Sequence, residues 1–400
     1  MSLPTSQPRR LLLVTASIGA GHNSVTRALR QELEGHPDLQ LDTLDVMDHM
    51  PRWFRAYYAG GFFLGMSHLP RAFGLGYRLT NRPQAPDRNL LEQLRLRWES
   101  WAGRRLLGEV LRRRPELVVH MHFLSPPILQ RAIRQGRLQT RQAIVATDVE
   151  LHRLWYCQDI EHWFVPQGHT ARRLEAWGVE RQRITVSGIP IHRKWDQPLD
   201  RAAILRDWNL PDGRPIVLLA GGADYTVGPI VRIARQLAKR QPQAYVVVLS
   251  GRNKKLQAQL AGLEETPAAI LPIPFTDRVN ELVQVASLMV TKPGGVTTAE
   301  CLAKGTPMVL SNPVSGHEGG NAAFLERQGA AVIARGTRRI LAAACGLLSD
   351  PPALARMTQR ARELYRPGRQ IVAAGICRML GAPPPPGSPA CPSDSNWQTT

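Results

Sequence analysis

Cysteine is sparse in this 400-residue chain, and its five copies, Cys157, Cys301, Cys345, Cys377 and Cys391, include no CxxC pair. That scatter excludes a disulfide framework and a zinc finger, and it suits a reducing cytosol. No stretch reaches the roughly 18 uninterrupted apolar residues that a membrane-spanning helix needs. The polar first ten residues run straight into Leu11-Leu-Leu-Val14, without the apolar core of a secretory signal, so the chain is expected on the cytoplasmic side. His120 and His122 are spaced HxH with no third ligand at recognisable spacing; they are read as crevice or core residues, and no metal site is expected. An aromatic RNP motif, a zinc finger and a helix-turn-helix pattern are also missing, so nucleic acid is not an expected partner.

The hydrophobic content of 43% is that of a folded globular protein, and the length leaves room for two domains that each bury a core. The net charge of +19 is unevenly spread: between Pro51 and Arg141 there are 17 arginines and no lysine against five acids. Trp53, Phe54, Tyr57, Tyr58, Phe62 and Phe63 are interleaved with the first of these arginines. Cationic and aromatic residues together suit an anionic bilayer surface. The other reading is a solvated arginine-rich hairpin whose aromatics are core.

Strand-like and helix-like segments alternate along the chain. Leu11–Ala16, Leu39–Asp45, Leu117–His122 and Gln142–Thr147 read as strands, with helices expected at Ser24–Leu33 and Trp98–Arg113. The second half repeats the alternation, with strands at Ile216–Ala220, Leu288–Thr291 and Pro307–Leu310 and a helix at Thr297–Lys304. This is the pattern of doubly wound parallel sheets covered by helices, twice in tandem. The expected division is a first domain over residues 1–195, a linker over 196–212, a second domain over 213–350, C-terminal helices over 351–382 and a disordered tail over 383–400. Ligands are expected beyond the carboxyl ends of the strands, in the crevice between the domains.

Three segments carry candidate chemistry. Lys292-Pro-Gly294-Gly295-Val-Thr297-Thr-Ala-Glu300 puts paired glycines where a strand turns into a helix. Such a turn is either an ordinary glycine-closed corner or a phosphate cradle, because bare backbone lets an anion reach the unpartnered N–H groups of the helix. Gly19-Ala-Gly21-His22 follows the first strand. As a dinucleotide fingerprint it is loose, since Ser24 holds the third glycine position, although Asp42 or Asp45 lies at the distance of a ribose-binding acid. His22 either caps the next helix or faces the crevice, where a near-neutral imidazole can accept a proton from an alcohol. Asp148 leaves a buried strand, with His152 and Trp155 following; it either caps a helix or serves as a carboxylate that orients or accepts a proton.

These segments, with Ser187-Gly-Ile-Pro-Ile191 between them and Pro313-Val-Ser-Gly-His317-Glu318-Gly-Gly-Asn321 after them, resemble in order and spacing the monogalactosyldiacylglycerol synthase and processive diacylglycerol glucosyltransferase family. That family is related to the enzyme that adds N-acetylglucosamine to the lipid-linked peptidoglycan precursor. The resemblance runs from about Leu11 to about Ala334. It implies a GT-B fold of two Rossmann-like domains and inverting transfer of a hexose from a UDP-sugar to a membrane lipid, diacylglycerol above others, with no cofactor. It implies His22 as the base, Asp148 as its support or alternative, and donor contacts from Gly221, Gly222, Gly294, Gly295, Thr297, Glu300, His317, Glu318 and Asn321. The aromatic stretch from Trp53 falls where these enzymes meet the membrane, which would make the protein peripheral on its cytoplasmic side. Where the family commonly has glutamine, this chain has His317, a rigid ring that reads the sugar's hydroxyls differently. A nucleotide-sugar epimerase of the same fold and a noncatalytic nucleotide-sugar-binding protein are the alternatives.

Overall fold

A computed structural model of the chain describes residues 7–58, 81, 90–221, 229–261, 270–313 and 317–389. The chain divides into two units: one comprises residues 1–193, 315–317 and 366–400, the other residues 194–314 and 318–365.

The first unit holds a six-stranded sheet in the order β2-β1-β3-β4-β5-β6. Its strands are β1 (Arg9–Thr15), β2 (Leu39–Asp45), β3 (Leu117–His120), β4 (Arg141–Val145), β5 (His162–Val165) and β6 (Ile184–Val186). All pairings are parallel. Inner strands covered on both faces need an apolar run rather than an alternation, and β1 and β3 have one: Leu11 to Val14 and Leu117 to Val119 are all buried. After β1 the chain turns to β2 on one side, and then to β3 on the other. The carboxyl ends of β1 and β3 therefore flank the topological switch point, where open α/β sheets bind ligands.

The second unit repeats the plan with the order β12-β11-β10-β7-β8-β9. Its strands are β7 (Ile216–Ala220), β8 (Tyr245–Gly251), β9 (Ile270–Pro274), β10 (Leu288–Thr291), β11 (Met308–Ser311) and β12 (Ala331–Ala334). Here the switch point lies between β7 and β10, the strands that lead into Gly221 and into Lys292–Gly295. Its core gathers Val217, Leu219, Val246, Val248, Leu288 and Val290 against Ile233 and Leu237 of the helix Ile230–Arg240.

Three sequence expectations change. The helix expected over Trp98–Arg113 is two helices, Leu90–Ala102 and Arg104–Arg113, broken at Gly103. A Cβ at Gly103 would stand 2.7 Å from Ile128, so close packing selects glycine there. The stretch expected as a linker belongs to the second unit. Asp200 caps the helix Arg201–Asp207, and Trp208 donates its indole N–H to Glu281 at 2.8 Å. The C-terminal helices separate: Pro351–Leu364 packs on the helix Gly295–Lys304 of the second unit, whereas Gly368–Leu380 lies along Ala20–Leu33 of the first.

That return explains Ser187–Ile191. Gly188 has φ +81 and its absent Cβ would sit 2.7 Å from the Cβ of Arg366, while the absent Cβ of Gly368 would meet the Ile189 backbone at 2.7 Å. Backbone packs directly on backbone, and the buried Arg369 pairs with Glu32 beneath. Residues 383–389 of the expected tail are described, and His36 reaches the Pro383 carbonyl at 3.0 Å. The remainder lies outside the described residues. No helix among the described residues is long and apolar enough to cross a membrane.

Candidate functional site

His22 stands in the first turn of the helix Ala20–Leu33, at the switch point of the first sheet. Gly19 precedes that helix in an extended conformation, with no side-chain cap. The loop before it is braced: Thr15 donates to Asn23 at 2.7 Å, Asn23 to Ser17 at 3.0 Å, and Ser17 to Asp45. Asp45 also accepts the Met47 N–H, and Asp42 pairs with Arg113 at 3.3 Å. The two acids of the dinucleotide reading are thus committed to local structure.

The Nδ1 of His22 lies 2.7 Å from the carbonyl oxygen of Met121, just past β3. A carbonyl only accepts, so Nδ1 carries a proton, and whenever the ring is neutral its basic nitrogen is Nε2. His122 meets this ring edge to face at 4.8 Å and stacks on Phe123 at 4.2 Å. Its Nδ1 accepts the Leu124 N–H, and burial, with the nearby His22, holds its pKa well below the ordinary imidazole value. His120 is a core residue between Ser125 at 2.7 Å and Gln142 at 3.0 Å, and burial depresses its pKa to about 3.

Thr147, two residues past β4, brings its hydroxyl to 3.4 Å from the His22 ring and places Asp148 on the same sheet edge. Helix capping is excluded for Asp148. No helix begins in the residues that follow, and the short turn Arg153–Trp155 is capped by His152, whose ring accepts the Leu154 N–H. The loop is tied down by Thr170, which donates to the Val149 carbonyl at 2.7 Å, and by Glu150, which pairs with His169 and Arg173. Trp155 stands beside His22, its ring centroid 6.4 Å from that of His22.

The aromatic stretch divides. Phe54 is fully buried among Val46, Leu106 and Val110, so its expected membrane contact is corrected: it is a core residue. Tyr58 is half-buried and stacks on Phe54 at 5.5 Å. Phe62 and Phe63 lie outside the described residues. Trp53 and Tyr57, 44% and 66% exposed, join two residues that sequence reasoning missed: Trp98 lies 5.4 Å from Trp53, and Trp101 stacks on it at 5.8 Å. Leu94, Trp98 and Trp101 recur at i, i+4 and i+7, the stripe of one helix face, and that spacing was the available signal. The result is an exposed apolar face flanked by Arg52, Arg55 and Arg97.

In the second unit Gly294 caps the helix Gly295–Lys304 without a side chain, so the first N–H groups are covered by none. Thr298, not Thr297, bonds back to the Gly294 and Gly295 carbonyls. Asn321 is fully buried and donates to the Pro293 carbonyl at 3.2 Å, which buttresses the glycine turn from beneath. Burial pushes the Glu300 carboxyl up to about 8, against the pull of the Lys194 charge and a hydrogen bond from Trp195. Lys194 and Trp195 were missed because they precede Glu300 by more than a hundred residues. Gly221 directly follows β7, and Gly222 lies outside the described residues. Glu318 and the backbone of His317 open the helix His317–Arg327.

Two doubly wound parallel sheets, each with candidate residues at its switch point, are the architecture of the GT-B fold. The solved structure of *Acinetobacter baumannii* MurG is similar over 93% of this chain and 100% of its own, with a TM-score of 0.61 and 16% identity. A putative UDP-N-acetylglucosamine 2-epimerase from *Listeria monocytogenes* is nearly as similar, with a TM-score of 0.60, 14% identity, and 95% and 99% of the two chains covered. Fold alone therefore does not separate transferase from epimerase; sequence does. Residues 22–191 match the monogalactosyldiacylglycerol synthase family and residues 216–362 match the glycosyltransferase family 28 C-terminal domain. A processive diacylglycerol β-glucosyltransferase of *Bacillus thuringiensis* (strain Al Hakam) is 28% identical over 368 residues, 90% of each chain. The first half of the chain thus carries a monogalactosyldiacylglycerol synthase domain and the second a glycosyltransferase family 28 C-terminal domain, and the protein is a glycosyltransferase.

Proposed function

We propose that this chain transfers a hexose from a UDP-sugar to the hydroxyl of a diacylglycerol-type lipid, with inversion, at the cytoplasmic surface of a membrane. The observation that carries the reading is the contact between His22 Nδ1 and the Met121 carbonyl at 2.7 Å, which makes Nδ1 the donor and, in the neutral ring, Nε2 the basic nitrogen. In this reading Nε2 takes the proton of the lipid hydroxyl as its oxygen attacks the anomeric carbon. The bond from that carbon to the β-phosphate oxygen breaks, and UDP leaves with the electron pair. Asp148 supports the hydroxyl or the imidazolium. The diphosphate charge is met by backbone N–H groups at Gly294 and Gly295, a preorganised arrangement that calls on no cofactor. Glu300 engages the ribose, and Glu318 the sugar.

Membrane contact is assigned to the exposed face of Trp53, Tyr57, Leu94, Trp98 and Trp101, since amphipathic rings flanked by arginines favour the interface of an anionic bilayer. The test is incubation of the purified protein with diacylglycerol vesicles and a panel of labelled UDP-sugars. A labelled glycolipid is the expected product. Transfer from none of the donors would sink the lipid acceptor, and conversion of a UDP-sugar without acceptor would establish the epimerase instead.

A further inference from the structure

The second unit carries a basic surface for which the proposed reaction has no use. Residues 229–261 include seven arginines and lysines and no aspartate or glutamate. They form the helix Ile230–Arg240, strand β8 and the helix Lys254–Leu260, and an open groove of about 930 Å³ runs between the two helices. Ile230 and Leu256 are buried and give the groove an apolar floor, whereas Arg232, Arg235 and Lys255 are exposed along it. The helix Ile230–Arg240 sends Ile233, Ala234 and Leu237 into the core, which leaves Arg232 and Arg235, three residues apart, on its outer side. Among the described residues none of these three cations pairs with a carboxylate.

Like charges gathered in one groove repel each other, and an anion placed among them lowers that cost. An apolar floor beneath a cationic rim matches an amphiphile with a phosphate head on a hydrocarbon body. The lining contains no aromatic side chain, so nucleic-acid bases have no stacking platform there. We propose that this groove binds the phosphate headgroups of anionic phospholipids in a bilayer, so that the second unit holds the membrane through a contact separate from the aromatic face of the first. The inference rests on the reading that the protein works at a membrane surface. The two contacts differ in degree: the groove acts chiefly through charge and weakens steeply with salt, whereas the aromatic face, with arginines only at its edge, acts chiefly through apolar burial and depends on salt less.

The test is flotation of the full-length protein with vesicles of phosphatidylcholine alone and with added phosphatidylglycerol, across a salt series. Combining Arg232→Gln, Arg235→Gln and Lys255→Gln should weaken binding to the phosphatidylglycerol vesicles roughly 100-fold at low salt, flatten the salt dependence, and leave phosphatidylcholine binding unchanged. All three residues are exposed, so the thermal midpoint should not move, and that measurement separates lost binding from lost fold. Unchanged affinity for the anionic vesicles overturns the proposal. An equal loss on both vesicle types also overturns it, as does a short RNA that binds the same three residues in preference to the vesicles. Combining Trp53→Ser, Trp98→Ser and Trp101→Ser should instead weaken binding to both vesicle types at every salt concentration. If it does not, the first-unit docking fails and the groove remains to be judged on its own variant.

Discussion

The switch points of the two sheets are built from opposite materials. At the β1/β3 edge the candidate chemistry is a side chain, and everything around it restricts that side chain: a carbonyl on Nδ1, a neutral buried imidazole against the ring face, and a braced loop beneath. At the β7/β10 edge the candidate chemistry is bare backbone, and the side chains nearby serve to shape it, as Asn321 does from beneath Pro293. Proton transfer depends on one nitrogen in one tautomer, so the ring must be held. A diphosphate spreads its charge over several oxygens, so a row of N–H groups without side chains in front of it serves better.

The largest test of this contrast is His22→Ala. Transfer should fall by about 10³-fold, within the range for loss of a general base, while the UDP dissociation constant measured by calorimetry stays within about twofold. A collapse of UDP affinity would move His22 to donor binding and erase the difference between the two edges. Next in size is Gly294→Val. A Cβ there meets only the Thr297 hydroxyl, at 3.9 Å, so the free protein should fold normally. The added methyl groups would stand in front of the N–H row and lower UDP affinity by roughly 10- to 100-fold, the equivalent of one or two charge-assisted hydrogen bonds. Unaltered affinity would reduce the glycine pair to an ordinary corner.

The smallest effect concerns Glu300, whose pKa is raised by burial from an ordinary 4.5 to about 8. The folded state therefore holds this proton more tightly than the unfolded chain does. The stabilisation is complete below about pH 4.5 and is lost progressively as pH rises to about 8. Glu300→Gln has no proton to lose, so relative to the parent its melting temperature should rise by several degrees between pH 5 and pH 8.5. Parallel melting curves across that range would show that the carboxyl is not desolvated in the free protein.

Local pattern made much of the fold legible. The strands Leu39–Asp45, Ile216–Ala220 and Leu288–Thr291 are found with the expected bounds, because short apolar runs between turn residues identify buried strands without reference to distant partners. The break at Gly103 was hidden, since its cause is Ile128 on another helix. Phe54 and Trp53 are neighbours of similar chemistry, and only the packing of the helix Arg104–Arg113 sends one inward and leaves the other outside.

The motifs, their order and the residue types at both switch points are properties of the chain alone. Composition and spacing determine which segments become strands and where glycine must stand before a helix, because backbone conformation and burial periodicity act over a few residues. The tautomer of His22, the protonation of Glu300, the course of the last helix back to the first unit and the exposed ring cluster were decided by tertiary structure. Each depends on groups far apart in sequence: Met121 lies 99 positions from His22, and Arg369 lies 337 from Glu32. Hydrogen bonding and desolvation act through space, and only the folded chain brings those partners together.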